Sequence, residues 1–558
     1  MSMSDNRETS FWARGVLLAA LFAAGLAAGC SGIADCGEEG AKCAMMLSEN
    51  GEACATAYRL AQSEAKRKAC EGAVKVVAAQ KVVAAIPGLT AMLAQPETSS
   101  SDDKHRKAAA QALGDIGDAS AVDALMAAID MEAGTSGDYK DKNANRTNEA
   151  IATALGEIGD KKATPKLLSL IERSRDNYVV LKAVRSLGVL KDKAALPALE
   201  KIALTHDNKF MRKNAVMALG DIGDAGAIDT LIRMMFVEFQ GVSFYREASF
   251  ALYQIGGSAA DALLDTMAGK NEAVNAYFEK SGGLKDTAIR AKCGFVLGDL
   301  RDPRGVEPLI AAFKEAVAKN DPVVLAYSAA PLGALGDPRA VPVLKAQMDT
   351  LDASLRDPIM RALNQLGDRS VVPDMIRAMS ADAFVAKCVA DKLGSKEECA
   401  ADKAALEGAQ RAAADHASNL AGPEHLEAFK AAVEAERDPK TKAYFAERLP
   451  RVEVAAECKA DAGCWSMRLR DPSPLIREKA AWELGRLRDS STLPALMDAL
   501  ADKKPQVRSA AIMAYWQFGT KSAVPKIEAQ LQDEQASADF IKVNEDLRRL
   551  LVHLQRQA

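Results

Sequence analysis

The residue types that most often do chemistry are scattered along this 558-residue chain. Its five histidines are isolated from one another, with no spacing typical of a metal site or a catalytic triad. They are His105, His206, His416, His425 and His553. The glycine-rich signatures of nucleotide sites and the GxSxG signature of serine hydrolases are absent from the sequence. We therefore predict no catalytic residue, no metal site and no cofactor.

The ten cysteines are the remaining reactive side chains. None forms the CxxC pair of a zinc site, so disulfides formed in an oxidising compartment explain them better than a metal does. The disulfide candidates are Cys36, Cys43, Cys54, Cys70, Cys388, Cys399, Cys458 and Cys464. The last four are expected to pair as near neighbours, whereas the first four leave three pairings open. Cys293 lies on an apolar helix face and is expected to be a buried free thiol.

One short phrase, ALGDIGD at Ala112–Asp118, returns in altered form down most of the chain. Apolar residues before it recur every three or four positions, which predicts one face of a helix. Gly117 suits the left-handed residue that ends such a helix, and Asp118 suits the N-cap of the next one. Each unit is therefore predicted to be a first helix, a tight turn and a second helix.

The leucine of this phrase recurs with a regular period. Intervals of about 31 to 35 residues dominate, a period typical of stacked helical repeats. The positions are Leu113, Leu155, Leu187, Leu219, Leu252, Leu297, Leu332, Leu363, Leu484 and Tyr515. A lone helix pair cannot bury its own apolar face, so the units must stack. The predicted fold is an all-α solenoid of helix–turn–helix repeats.

The phrase resembles the short HEAT-like repeats named after phycobilisome lyases. Those repeats carry an Arg before the Ala-rich face of the first helix, which falls here at Arg212, Arg246, Arg290, Arg477 and Arg508. The resemblance covers roughly residues 104–380 and 471–533 and implies the HEAT-like α-solenoid. It offers no catalytic residue to carry over. A di-iron hydroxylase family with the same repeat has His-Glu pairs on its first helices, and this chain contains none.

Residues 1–29 have the features of a secretory signal peptide. Arg7 and Arg14 precede the apolar run Gly15–Ala28, which is shorter than the roughly 20 residues that span a bilayer. The alternatives are ordinary cleavage without lipid and an uncleaved anchor.

The junction Ala27-Ala28-Gly29-Cys30 resembles a bacterial lipobox, although Leu26 lies one position further from the cysteine than usual. The resemblance implies that Cys30 is diacylated and becomes the mature N-terminus. We therefore expect a lipid-anchored protein of the cell envelope that faces the periplasm. Ser31 after the cysteine favours the outer membrane.

The sequence after the signal peptide divides into five regions. We predict a Cys-rich helical N-terminal cap over 30–73, HEAT-like repeats over 74–380, an irregular Cys-containing segment of degraded repeats over 381–466, further repeats over 467–535 and a C-terminal cap helix over 536–558.

A formal net charge of −4 makes a nucleic-acid partner a poor fit, because phosphate backbones need clustered Lys and Arg. We expect protein partners instead. Aromatic residues concentrate near one helix–helix connection, where exposed rings would be partner anchors and buried rings a bulkier core layer. The candidates are Phe236, Phe239, Phe244 and Tyr245. The second helices are expected to line the concave surface, with Arg233, Met234, Lys314 and Lys345 on it.

These observations favour a non-catalytic protein–protein interaction scaffold, anchored to the cell envelope as a lipoprotein. The alternative is a lyase- or modification-type enzyme related to the phycobilisome lyase HEAT-like proteins.

Overall fold

A computed structural model describes residues 33, 35–59, 64–96, 104–132, 139–279, 282–319, 321–348, 353–533 and 541–556. The predicted signal peptide and Cys30 lie outside these residues. The described residues are almost entirely helical, which confirms the predicted all-α solenoid. The chain forms two compact units, Met1–Ala195 and Leu196–Ala558.

Unit 1 begins with the predicted disulfide-stapled cap, in which Cys36 pairs with Cys43 and Cys54 with Cys70. Closing a loop of about 15 residues stabilises a fold by about 3 kcal/mol in the chain-entropy model, and Cys54 and Cys70 are 16 positions apart. The helices are α1 (Gly40–Arg59), α2 (Glu64–Ala79), α3 (Ile86–Ala94), α4 (His105–Ile116), α5 (Val122–Ala127), α6 (Tyr139–Ile158), α7 (Thr164–Arg173) and α8 (Asn177–Leu190).

Unit 2 continues the alternation of first and second helices. Its earlier elements are α9 (Leu196–Thr205), α10 (Lys209–Ile222), α11 (Ile228–Phe236), the hairpin β1 (Glu238–Phe239) and β2 (Val242–Ser243), α12 (Tyr245–Ile255), α13 (Ser258–Met267), α14 (Glu272–Glu279), α15 (Asp286–Leu300), α16 (Val306–Lys319), α17 (Pro322–Leu335), α18 (Val341–Lys345), α19 (Ala353–Leu366) and α20 (Val372–Arg377). In the hairpin the strands are antiparallel, and Phe239 is the partner of Val242.

Its later elements are α21 (Ala381–Ala390), α22 (Lys396–Ala401), α23 (Lys403–Leu420), α24 (Leu426–Ala435), α25 (Pro439–Cys458), α26 (Ala462–Arg468), α27 (Pro474–Leu487), α28 (Leu493–Ala499), α29 (Pro505–Phe518), α30 (Val524–Asp533) and α31 (Ile541–Arg556). Cys388 pairs with Cys399 and Cys458 with Cys464, while Cys293 is a buried free thiol. Within 381–466, α23, the 3₁₀ turn Pro423–His425 and α24 keep the order of a repeat.

The turn between the helices of a repeat follows from its Gly-Asp pair. Gly223 ends α10 with a φ of 72°, the left-handed conformation that costs glycine no steric strain. The side chain of Asp224 then accepts a hydrogen bond of 2.8 Å from the backbone N–H of Gly226. It therefore caps a short 3₁₀ turn, and the second helix begins directly after that turn.

The other recurring glycine of the phrase serves packing between repeats. A Cβ on Gly298 would lie 2.5 Å from the Cβ of Pro331, and one on Gly333 would lie 2.7 Å from the Cα of Ala362. Real Cβ atoms do not approach other carbons so closely, so only glycine lets consecutive first helices meet there. The first helices are therefore the tightly packed layer of the solenoid.

The last helix, α31, closes unit 2 into a ring. It packs on α29, and it also reaches the much earlier helices α12 and α15. Tyr253 Oη donates a hydrogen bond of 3.1 Å to the carbonyl of Arg549, whose guanidinium pairs with Asp299 at 3.0 Å. Arg556 donates to the carbonyl of Tyr253 at 2.7 Å. The sequence predicted a terminal cap helix in this region but not these contacts.

Among the described residues, no helix combines the length and the apolar character that crossing a membrane requires.

Candidate functional site

A partly enclosed cavity of about 830 Å³ lies inside the ring of unit 2. Its walls come from the first helices α15, α17, α19, α23, α25, α27 and α29 and from the cap helix α31. The second helices expected at this surface do not contribute. Met234 is fully buried, and Lys345 pairs with Asp374 of the next second helix. The prediction that second helices line the inner surface is therefore wrong for unit 2, because the glycine-mediated contacts draw the first helices inward.

Three first helices of unit 2 that carry the phrase have a larger side chain in place of the packing glycine. They are Tyr253 in α12, Asn364 in α19 and Trp516 in α29, and the last two line the cavity. A histidine of a neighbouring helix contacts each of these two cavity residues. The amide nitrogen of Asn364 lies 3.3 Å from Nδ1 of His416, and the ring of Trp516 stacks on that of His553. The spacing of the repeat could have flagged both positions.

His416 is held on both sides. Its Nε2 lies 2.9 Å from Oδ1 of Asp357, and its Nδ1 faces the Asn364 amide. The hydrogen bond from His416 holds the pKa of Asp357 well below its usual range, and Arg361 adds to this effect against the cost of burial. A general base needs a free ring nitrogen within reach of a nucleophile. Because both nitrogens of His416 are engaged, this Asp–His pair orients the wall of the cavity.

Two arginines of α25 in the wall are also paired with acids. Arg448 Nε lies 2.7 Å from Oδ1 of Asp415, and its guanidinium covers the ring of Tyr444. Burial, helped by the hydrogen bond to Asp415, raises the pKa of Tyr444 to about 12. Arg451 pairs with Glu478. No group of His, Cys, Asp and Glu side chains suited to a metal ion occurs among the described residues.

Family models for two kinds of repeat match the sequence. The model for HEAT repeats matches residues 164–242 and 466–539. The model for the PBS lyase HEAT-like repeat matches residues 106–131 and 289–315. The chain is a HEAT-repeat protein. No curated protein matches it significantly.

Solved structures that this chain is similar to include a hydroxylase, a lyase complex and an importin. Human deoxyhypusine hydroxylase is 20% identical over 52% of this chain and 98% of its own, with a TM-score of 0.21. The CpcE and CpcF complex of phycocyanin lyase from Nostoc sp. PCC7120 is 24% identical over 50% of this chain and 93% of its own, with a TM-score of 0.25. Importin beta is 12% identical over 93% of this chain and 80% of its own, with a TM-score of 0.40.

The aromatic residues predicted as partner anchors pack inside this HEAT-repeat protein. Phe244 is fully buried, so the prediction of an exposed anchor is wrong for that residue. The β-hairpin folds Phe239 over the guanidinium of Arg212, 3.9 Å from the ring centroid. Phe236 meets the edge of Phe278 in the inserted helix α14, and Tyr245 is only partly exposed. The bulkier core layer, which was the alternative, describes these residues better.

The HEAT-repeat chain instead exposes apolar residues at one repeated position, two residues after the N-cap of a first helix. In unit 2, Phe210 is 63% exposed and Val323 is 47% exposed. In unit 1, Tyr178 holds the same position and is 68% exposed. The Asx side chain of each N-cap accepts a hydrogen bond from the backbone N–H of this residue. This position was not among the predicted sites, although its fixed distance from the N-cap Asp or Asn is a signal in the sequence.

Proposed function

We propose that this protein is a non-catalytic protein-binding scaffold, exported to the cell envelope and anchored there by a lipid on Cys30. The observation that carries the proposal is the exposed apolar residue that recurs after the N-caps of the first helices. In unit 2, Phe210 and Met217 lie two turns apart on one face of α10, and both are exposed. Exposed aromatic and Met side chains are over-represented among the anchors of protein interfaces.

The scaffold presents these anchors at a low entropic cost. The N-cap Asn208 fixes the first turn of α10 through hydrogen bonds to the N–H groups of Phe210 and Met211. Lys213 on the same helix pairs with Glu247 of α12 at 2.7 Å. An anchor that is already ordered before binding loses less freedom when the partner arrives.

Export is supported by the cysteines. Eight of them pair within the described residues, and such pairs persist in oxidising compartments outside the cytosol. We place the mature protein on the periplasmic side of the outer membrane. Cys30→Ala should release it from the membrane fraction, and unchanged retention would remove the lipid anchor from the proposal.

The partner is tested by photo-crosslinking in cells, with a photoreactive residue placed at one position at a time. Phe210 and Val323 should yield the same discrete protein adduct. Met467 is the matched control, because it is 72% exposed and apolar but lies on α26, away from the repeated position. Phe210→Ser should weaken the adduct formed from Val323. If Met467 gave the same adducts, or if the adducts contained only lipids, the exposed residues after the N-caps would not be a protein-binding surface.

The alternative enzyme function, a lyase or modification activity, rests on the match of the PBS lyase HEAT-like repeat model to residues 106–131 and 289–315. A bound chromophore or metal in the purified mature protein would favour it over the scaffold.

A further inference from the structure

We infer that the cavity of unit 2 binds a small aromatic carboxylate of one or two rings. The inference goes beyond the proposed scaffold function and needs no protein partner. At about 830 Å³ the cavity has the size of a small-molecule site, because such sites commonly span roughly 300–1,000 Å³. A folded protein domain does not fit inside it.

The cavity wall has one more positive than negative side chain. Its six cations are Arg301, Arg361, Arg448, Arg451, Lys504 and Arg549. Its five acids are Asp299, Asp357, Asp415, Glu478 and Asp546. Four of the arginines pair with these acids, which leaves two cations available for a ligand. Lys504 is exposed to solvent, whereas Arg301 is largely enclosed.

Arg301 is the cation best placed to bind an anion. Its guanidinium forms no ion pair among the described residues, and Asp299, whose charge acts on it, pairs with Arg549. Its Nη2 instead faces the sulfur of Met513 at 3.8 Å, a weak acceptor. The guanidinium lies over Trp516, 5.0 Å from the ring centroid, and burial lowers the pKa of Arg301. An arginine held in this way pays for desolvation without an ionic partner, and a carboxylate would supply one.

The wall also offers an aromatic face. Trp482 lines the cavity, and its indole has no ring, cation or hydrogen-bond partner among the described residues. A flat aromatic ligand would stack on Trp482. Trp482 therefore selects an aromatic body, and Arg301 selects its negative charge.

The inference is tested on the full mature chain by calorimetric titration with 2-naphthoate and, in parallel, with its neutral amide, 2-naphthamide. Naphthoate should bind with a Kd of about 1 mM or tighter. Arg301→Gln should weaken naphthoate binding by about 10-fold to 100-fold, as expected for loss of a charge-assisted hydrogen bond, and leave naphthamide unchanged. Arg301→Lys should restore part of the affinity, because it keeps the charge.

Arg339→Gln is the matched control, because Arg339 is an arginine of the turn after α17 that pairs with Asp337 and Glu307 outside the cavity. It should bind naphthoate like the natural protein. Thermal unfolding of each variant separates lost binding from lost folding. Equal binding of naphthoate and naphthamide, or full binding by a folded Arg301→Gln variant, would overturn the inference. So would the absence of naphthoate binding to the natural protein. None of these outcomes bears on the proposed protein-binding residues after the N-caps, which the crosslinking tests separately.

Discussion

The indole of Trp516 and the imidazole of His553 stack with their centroids 5.0 Å apart and their planes 18° from parallel. The guanidinium of Arg301 lies over the same indole. The first contact joins α31 to α29, and the second joins the C-terminal end of α15 to α29. Arg549 of α31 pairs directly with Asp299 of α15. Closure of the ring therefore relies on an imidazole held among cations.

The stability of unit 2 should fall when the pH drops below neutrality. Burial, together with Arg301 and Arg556, lowers the pKa of His553 below its usual 6.5. The unfolded chain then binds a proton that the folded chain resists, so stability is lost as the pH falls through this region. Scanning calorimetry at about pH 7 and pH 5 should show a lower Tm at pH 5. His425 contributes with the same sign, because burial also lowers its pKa.

The variant His553→Phe keeps an aromatic ring stacked on Trp516 but removes the imidazole that can bind a proton. The drop in Tm between the two pH values should become smaller in this variant but should not vanish, since His425 remains. An unchanged drop would show that His553 does not control the closure of the ring.

Arg556 is the second test of closure. It donates hydrogen bonds to the backbone carbonyls of Tyr253 and Gln254, two residues in the last turn of α12. Arg556→Met should lower the free energy of unfolding by about 1.5–3 kcal/mol, the range for hydrogen bonds to a charged group. Arg304→Met is the control, because Arg304 pairs with Asp261 and Asp302 at the surface, where solvent screens the pairs, and its loss should cost less than that of Arg556. Urea denaturation measures the free energy of unfolding of both variants. Equal losses would mean that the contacts of Arg556 do not hold the ring closed.

The repeat architecture could be predicted from the sequence because its signal is local and periodic. The Gly-Asp turn, the apolar stripe and the regular interval each recur many times, so errors in one copy are corrected by the others. The ring could not be predicted, because its closure depends on pairs such as Tyr253 and Arg549, which are about 300 residues apart and carry no repeat signature. The cavity follows from the closure, so its lining was missed for the same reason.

The aromatic candidates show a different limit. The sequence alone shows that four aromatic residues lie close together in the chain, namely Phe236, Phe239, Phe244 and Tyr245. An aromatic side chain near a helix–helix connection, however, can face either the solvent or the core. The inserted elements decide this. The β-hairpin carries Phe239 back onto Arg212, and α14 covers Phe236 with Phe278. Neither insert matches the repeat, so its effect on burial could not be read from the pattern.

The packing glycines should resist substitution even by alanine. Gly298→Ala would place a Cβ 2.5 Å from that of Pro331, and Gly333→Ala would place one 2.7 Å from the Cα of Ala362. Overpacking of this kind costs about 1–3 kcal/mol and exceeds the gain in helix propensity. Gly408→Ala is the control, because a Cβ at this position in α23 meets nothing within 4 Å. It should stabilise the protein by about 0.5–1 kcal/mol. The same sign for all three variants in thermal unfolding would contradict the close approach of first helices.

A buried lysine ties α27 to the end of α23. Lys479 is fully buried, and its Nζ donates hydrogen bonds of 2.6 Å and 2.7 Å to the carbonyls of Asn419 and Ala421. It also pairs with Glu483 at 2.9 Å, and that carboxylate receives Arg369 from the turn after α19. Burial lowers the pKa of Lys479 to about 8. The ammonium group therefore remains mostly charged at neutral pH and satisfies three acceptors at once.

Lys479→Met should lower the free energy of unfolding by about 3–5 kcal/mol, because removing one member of a buried charged cluster leaves the rest uncompensated. Lys526→Met is the matched control, since Lys526 forms a comparable 2.8 Å pair with Asp498 at the surface. It should change stability by less than about 1 kcal/mol. Chemical denaturation of both variants gives the comparison. A cost for Lys479→Met as small as that for Lys526→Met would mean that water replaces the ammonium group, and that the cluster does not hold this side of the ring together.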